Sequence, residues 1–326
     1  MPRVVVDAMG GDSAPDEVVR GAVSAAEDGH EIVLAGDTDR IAPLLQKLGT
    51  DLPIVQASQV IEMEDDPARA IREKKDASIL VAARLVAEGK VDALVSAGST
   101  GAALAAAAFV IGRLPGVSRP AIASVFPTGD VILDAGANID VRPEHLLQFA
   151  VMGTAIGQVY SGLENPRVGL INIGEEAGKG RELDKQAHAL LTDASGINFV
   201  GNVEGRDLGT GTVDIFVTDG FTGNVLLKTV EGTVRAFYRM LLEALKADEY
   251  QEALGTLLPA FMNLRAYVDP ENIGGAHLLG SKGVVVISHG SSSRVAIANA
   301  IEMAAEGARE GLTDRIAAGI AQATSS

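Results

Sequence analysis

Apolar residues along this chain fall into short β-type runs, separated by stretches where they recur at helical spacing. Val4 to Asp7 is the first run, and Pro15 leads into a helix predicted over Glu17 to Asp28. Glu31 to Ala35 reads as a strand with a helix from Thr38, and Val91 to Ser96 as a strand with a small-residue helix from about Thr100. Val131 to Asp134 precedes a helix over Pro143 to Tyr160, and Val168 to Ile173 precedes one over Arg181 to Thr192. Val213 to Thr218 leads into a long helix starting near Gly223, and Val284 to Ser288 into a last helix filling most of the C-terminal part. Strands alternating with helices imply βαβ units and a largely parallel sheet. Leu163 to Pro166 is the best candidate boundary, but no linker divides the chain, so 1–326 is read as one α/β domain.

The predicted strands share a habit at their ends. Each closes on a small or acidic residue followed by glycine: DAMGGD at Asp7, SAGSTG at Ser96, DAGAN at Asp134, NIGEE at Asn172, TDGFTGN at Thr218 and SHGSS at Ser288. Ligands of open α/β sheets bind at the carboxyl ends of strands, so these loops are expected to converge on one crevice. Glycine alone makes turns; Asp, Asn, Ser, Thr and His beside it suggest more.

Composition narrows the chemistry. Hydrophobic residues make up 47% of the chain, enough for a sizeable core, yet no apolar run approaches the roughly 20 residues of a membrane span. The start of the chain lacks the apolar stretch of a signal peptide, and a soluble, cytoplasmic protein is expected. With no cysteine, disulfides, cysteine-ligated zinc, iron–sulfur clusters and a cysteine acyl-enzyme are excluded. A net charge of -16 disfavours nucleic acid as a partner.

Standard nucleotide-binding and hydrolase motifs are absent. What remains is anion binding by backbone and hydroxyls. Gly98-Ser99-Thr100-Gly101 and Thr222-Gly223-Asn224 each precede a helix, where free N–H groups suit a phosphate. The same residues are ordinary helix caps. Lys179 lies between Gly178 and Gly180 beyond a strand end, placed to clamp phosphate or stabilise an oxyanion, or simply exposed to solvent.

Taken together, the loops resemble the acyl-carrier-protein-dependent phosphate acyltransferases of bacterial phospholipid synthesis. The resemblance is carried by VDAMGGD followed after two residues by Pro15, at 6–15, SAGSTGA at 96–102, LDAGAN at 133–138, PEHLLQFAVMG at 143–153, PRVGLINIGEE at 166–176, GNVEGRD at 201–207, DGFTGNVLLKTVEG at 219–232, GGAHLLG at 274–280 and SHGSS at 288–292. It implies a Rossmann-like, mostly parallel sheet with helices on both faces, related to isocitrate and isopropylmalate dehydrogenases and to phosphotransacetylases. A protruding helical hairpin is expected at about 223–268. The resemblance further implies a homodimer, no metal, and an acyl phosphate passed to a membrane glycerol-3-phosphate acyltransferase. The substrates it implies are inorganic phosphate and acyl carrier protein; no cofactor is expected.

By the same resemblance Lys179 and Asn224 lie nearest the reacting carbonyl. Gly98, Ser99, Thr100, Gly101, Thr222 and Gly223 hold phosphate. Asp7, Asp134 and Asp219 orient the loops, since carboxylates repel phosphate. Asn138 and His289 are second contacts, with His289 either protonating the leaving thiolate or serving structure. Ser99 departs from the many relatives that carry Asn, keeping a donor on a shorter side chain.

Acyl carrier proteins are acidic, so docking on this acidic chain requires a basic cluster. Two are visible: Arg69, Arg72, Lys74 and Lys75, and the favoured Arg235, Arg239 and Lys246. The long helix carries an apolar stripe at Leu227, Val230, Val234, Phe237, Leu241 and Leu245, and its second arm offers Leu254, Leu257, Leu258 and Phe261 around Pro259. From Ala247 to Ser281 the only basic residue is Arg265, against Asp248, Glu249, Glu252, Asp269 and Glu271. That balance predicts weak peripheral membrane contact at most.

Overall fold

The structure is a computed structural model that describes residues 1–126, 128–247, 250–268 and 270–324. Asp248, Glu249 and Asp269, which entered the hairpin's charge balance, lie outside the described residues, as do the side chains of Glu252 and Arg265.

One eleven-stranded sheet runs through the chain in the order β3-β2-β1-β4-β11-β10-β5-β6-β9-β7-β8. The first five of these are β3 (Ile54–Gln56), β2 (Glu31–Gly36), β1 (Arg3–Asp7), β4 (Ala93–Ser96) and β11 (Val284–Ile287), all parallel. The last four, β6 (Val131–Leu133), β9 (Ile215–Val217), β7 (Arg167–Ile171) and β8 (Asn198–Val203), are also parallel among themselves. Between them, β10 (Ala276–Leu279) pairs antiparallel with both β11 and β5 (Ala121–Val125), and β5 pairs antiparallel with β6.

That centre corrects the expectation of one converging crevice. Three reversals in a row invert the second half relative to the first. Leu279 pairs with Ala121, and Ala123 with Leu133, so the end of β6 lies at the edge where β5 begins. Loops after β1, β4 and β11 therefore leave one edge of the sheet, and loops after β6, β7 and β9 leave the opposite edge.

Helices cover both faces. α1 (Asp16–Glu27), α2 (Thr38–Leu48) and α11 (Arg294–Arg309) bury Val19, Ile41 and Ile297 against the first half. α4 (Ser78–Ala87) and α5 (Thr100–Ala106), which runs on into a π-helical turn over Ala107–Gly112, pack on the other face. α6 (Pro143–Tyr160), α7 (Glu182–Asp193) and α12 (Leu312–Thr324) enclose Phe149, Leu191 and Ile316 against the second half. The predicted last helix is thus two, α11 and α12, parted at Gly311, whose φ of 66° falls in the left-handed region that favours glycine.

α8 (Gly220–Ala244) and α9 (Gln251–Val268) form the expected hairpin, joined near its middle where Tyr238 Oη donates to the Phe261 carbonyl at 3.4 Å. Only Gly220 and Gly223 of α8 are fully buried, while Phe237, Met240, Leu257, Leu258, Met262 and Leu264 are exposed. No described helix is long and apolar enough to cross a membrane.

The N-terminal and C-terminal parts of the chain meet where α1 packs on α11. Gly21 allows that contact: a Cβ there would lie 2.6 Å from Ile297 Cβ and 2.7 Å from the Arg294 carbonyl. Overpacking of this kind costs about 1–3 kcal/mol. Gly21→Ala should lower the unfolding free energy by that amount, read as a lower urea midpoint at unchanged slope, and an unchanged midpoint would show that the two helices slide apart freely.

Candidate functional site

At the first edge, three loops are tied together by one buried carboxyl. Asp7, at the end of β1, accepts from Ser96 Oγ at 2.7 Å, and Ser96 Oγ accepts the Gly98 N–H at 3.1 Å. Gly10 and Gly98 meet backbone to backbone, since a Cβ on Gly10 would sit 2.8 Å from Gly98 N. The third loop joins through Asp12 N–H to the Gly290 carbonyl at 2.7 Å. Burial pushes the Asp7 carboxyl above its usual range, against the lowering effect of Ser78, Ser96 and the Met9 and Gly10 amides. Asp7 orients these loops, as its residue type suggested.

The sequence-predicted phosphate contacts at this edge divide. Ser99 is buried and caps α5, its Oγ accepting the Ala102 N–H at 3.4 Å, so its oxygen serves the helix. Gly101 is required by packing: a Cβ would lie 2.5 Å from Pro67 Cγ. Thr100 is exposed. His289 is exposed too, and its Nδ1 accepts from Ser291 N at 3.2 Å and lies 2.8 Å from Ser291 Oγ. That network assigns the ring proton to Nε2.

The opposite edge is organised by Asp134, fully buried after β6. Its Oδ1 accepts the N–H groups of Ile122 (3.1 Å), Gly136 (3.1 Å) and Ala137 (2.9 Å). Its Oδ2 accepts Asn138 N and Nδ2, both at 2.7 Å. Burial raises this carboxyl's pKa even so. Asn138 Nδ2 also donates to the Pro120 carbonyl at 2.8 Å, and the Asn138 carbonyl accepts Gly220 N–H at 2.7 Å. Asp134 and Asn138 are therefore committed to holding the 134–138 loop.

α8 starts on that loop. A side chain at Gly223 would collide with the Asp134 carbonyl, and one at Gly220 would lie 2.7 Å from the Asn138 carbonyl. Asp219 caps the helix: Oδ1 accepts Thr222 N at 2.8 Å and Oδ2 accepts Thr222 Oγ1 at 3.0 Å. The Gly223 N–H donates to the Asp219 carbonyl. The donors of Thr222 and Gly223 assigned to phosphate are thus already bonded within the cap, and α8 begins at Gly220 rather than Gly223 for the same reason.

Arg181 was missed by sequence reading. Its guanidinium grips the buried Asp184 through Nε (3.0 Å) and one terminal nitrogen (2.9 Å), and that nitrogen reaches Asp219 at 2.8 Å. Burial pulls the Asp219 carboxyl up, but the Thr222 amide, Arg181 and the Thr222 hydroxyl outweigh it and hold its pKa below the usual range. The Arg-x-x-Asp spacing at 181–184 marks a capping arrangement; only the fold reveals Asp219 as a further partner.

Lys179 and Asn224 share this edge. The Lys179 loop is pinned by Asn172 Nδ2 to the Lys179 carbonyl (3.2 Å) and Asn202 Nδ2 to the Glu176 carbonyl (2.8 Å). The lysine is half-exposed, with Nζ 3.9 Å from Glu176. Asn224 is exposed one turn into α8, against Gly136, which leaves room for it. Along the sheet, His289, Ser99 and Thr100 belong to the other edge, and no hydrogen bond among the described residues joins the two groups. On α8, Arg235 lies 3.7 Å from Glu231, with Arg239 exposed one turn on; Lys246, two residues past the helix end, lies 2.8 Å from Glu243.

Known proteins agree with this architecture. The family profile described as "Fatty acid synthesis protein" matches residues 2–315. A phosphate acyltransferase of Heliobacterium modesticaldum is 49% identical over 318 residues, covering 94% of each chain. Among solved structures, a phosphotransacetylase from Streptococcus pyogenes superposes with a TM-score of 0.64 at 20% identity, covering 95% of this chain and 94% of that one. A 4-hydroxythreonine-4-phosphate dehydrogenase from Klebsiella pneumoniae gives 0.56 at 15% identity, covering 94% and 98%. At such identities these two structures show a shared fold alone.

Two outcomes follow from the buried carboxyls. Asp134→Ala strands several buried N–H groups, and should cost about 3 kcal/mol or more by urea unfolding. Asp7 has the opposite sign. Its raised pKa means the folded state holds the proton more tightly, so wild-type stability falls as pH rises from the unfolded value through the folded one. Asp7→Asn should therefore be more stable than wild type at pH 8 and lose that advantage in acid. An advantage that grows in acid would refute the reading.

Proposed function

This chain belongs to the phosphate acyltransferase family, and from that premise we propose that it transfers a fatty acyl group from acyl carrier protein to inorganic phosphate. The observation that carries the site assignment is the second edge, where Lys179 and Asn224 stand open beside a loop and helix start whose other polar groups are already bonded.

Phosphate's second pKa lies near neutrality, so the dianion is a competent nucleophile and the chain need supply no nucleophile or strong base. A phosphate oxygen attacks the thioester carbonyl, and a C–O bond forms as the carbonyl π pair moves to oxygen. Lys179 Nζ and the Asn224 amide donate to that oxyanion, a charge that grows only toward the transition state. Collapse re-forms the carbonyl, breaks the C–S bond and releases the thiolate, which takes a proton from solvent, since His289 lies at the other edge. Asp134 and Arg181 hold the 134–138 loop and α8 in place and act through position.

In this reading Ser99 and Thr222 serve as caps, while Thr100 and His289 keep open donors at the first edge. The exposed apolar residues of the α8–α9 hairpin support pairing into a homodimer, with weak peripheral contact at the inner face of the membrane. The product is a mixed anhydride, suited to direct hand-over to a membrane glycerol-3-phosphate acyltransferase.

The test is acyl-phosphate formation from palmitoyl-carrier protein and inorganic phosphate, run beside palmitoyl- and acetyl-coenzyme A. Phosphate-dependent thioester loss with the carrier-protein donor is expected. Lys179→Ala should lower kcat about 100-fold or more, the scale of losing an oxyanion donor. Turnover with acetyl-coenzyme A alone would replace the donor in this reading, and a fully active Lys179→Ala would remove the lysine from it.

A further inference from the structure

With a net charge of -16, this chain repels an acidic partner everywhere except where positive charge is concentrated and left unneutralised. Several exposed cations fail that condition. Arg69 pairs with Glu73, Lys74 with Asp65, Arg206 with Glu204, Arg235 with Glu231 and Lys246 with Glu243. One place meets it. Arg113, Arg119 and Arg142 line an open cleft of about 440 Å³ together with Ser118, Asp140 and His145.

None of the three arginines forms an ion pair among the described residues; their donors go to neutral groups. Arg113 donates to the Ser118 carbonyl, Arg119 to the Asp140 carbonyl at 3.0 Å, and an Arg142 terminal nitrogen lies 3.4 Å from His145 Nε2. Asp140 is the one carboxylate in the lining, and its side chain bonds none of the arginines. His145 is buried, and burial followed by the charges of Arg119 and Arg142 holds its pKa below the usual range. The imidazole stays neutral, and the charge of the cleft is that of its arginines.

The walls are fixed. Gln148 accepts Ser118 N–H at 2.9 Å and donates to the Gly116 carbonyl at 3.0 Å, and Arg142 N–H donates to His145 Nδ1 at 3.2 Å at the start of α6. The cleft also adjoins the candidate site. Asn138, between its two walls in the chain, bonds the Pro120 carbonyl on one side and the Gly220 N–H that opens α8 on the other.

We propose that this three-arginine cleft, and not the Arg235–Lys246 stretch of the hairpin, is where the acidic carrier protein docks, its carboxylates meeting the guanidinium groups while its acyl thioester reaches Lys179 and Asn224. The proposal rests on the carrier-protein reading above and deepens it.

The experiment measures carrier-protein binding by fluorescence anisotropy and steady-state turnover with palmitoyl-carrier protein, for wild type, Arg119→Gln/Arg142→Gln and Arg235→Gln/Arg239→Gln. The cleft variant should raise Kd and KM for the carrier protein about tenfold, flatten their salt dependence, and keep kcat at saturation within about twofold. The α8 variant should bind as wild type does. An unchanged Kd in the cleft variant overturns the proposal, as does a kcat collapse at unchanged Kd or a Kd rise confined to the α8 variant. A thermal melt checks folding; should the double variant unfold, Arg119→Gln alone is read the same way, and Arg119→Lys must restore most of the affinity. Failure of the functional reading is separate: wild type would then show no phosphate-dependent thioester loss, whatever the binding data say.

Discussion

Asp134 is the interaction on which the candidate site depends. Its buried carboxyl gathers the N–H groups of Ile122, Gly136, Ala137 and Asn138 with the Asn138 amide, and so converts the end of β6 into a rigid tight loop. Unmade, each of the buried donors, those of Ile122 and Asn138, would cost of order 1–3 kcal/mol. Burial still raises the carboxyl's pKa, so the charge is tolerated because of its donors rather than being intrinsically at home. α8 is laid directly on this loop, and Gly220 and Gly223 are glycines because its backbone leaves no space for a Cβ. Everything α8 carries, from Asn224 to the exposed hairpin, takes its position from that one contact.

The sequence made the elements legible wherever a run was apolar and closed by a glycine loop. β1, β4, β6, β7, β9 and β11 all fall where the hydrophobic pattern put them, as do α6 and the long hairpin helix. The missing strands explain the error in the site. β10 and β5 come from segments far apart in the chain and do not end on the small or acidic residue plus glycine that marks the other strands, yet they reverse the sheet between β11 and β6. Strand direction belongs to pairing between distant segments, and local periodicity does not contain it. Hence loops that looked alike in sequence leave from opposite edges.

Capping shows a second limit. Ser99 and Thr222 have the residue type and location of phosphate donors, and equally of helix-terminal groups. The two roles differ only in what already occupies the donors and acceptors. For Thr222 the answer was within reach, since Asp219 three residues earlier suits a cap. For Arg181 it was half within reach: Asp184 is local, while Asp219 arrives only when β7 and β9 pair side by side. Charge followed the same logic. Arg235 and Lys246 looked like a basic face, but Glu231 and Glu243 on the same helix neutralise much of it.

The electrostatics of the second edge also decide what kind of anion it favours. Arg181 carries one positive charge against the two carboxylates of Asp184 and Asp219, so that cluster stays net negative and cannot by itself retain a phosphate dianion. Lys179 is the next cation, partly offset by Glu176 at 3.9 Å and half-exposed to water. Such a site holds a resting dianion weakly. In the proposed reaction, a carbonyl oxygen that becomes charged only during the reaction would gain more from Lys179 and the neutral Asn224 amide, because its uncharged ground state meets no repulsion from Asp184 and Asp219. Under that proposal the arrangement favours the transition state over bound phosphate, which suits an enzyme whose nucleophile is abundant and already ionised.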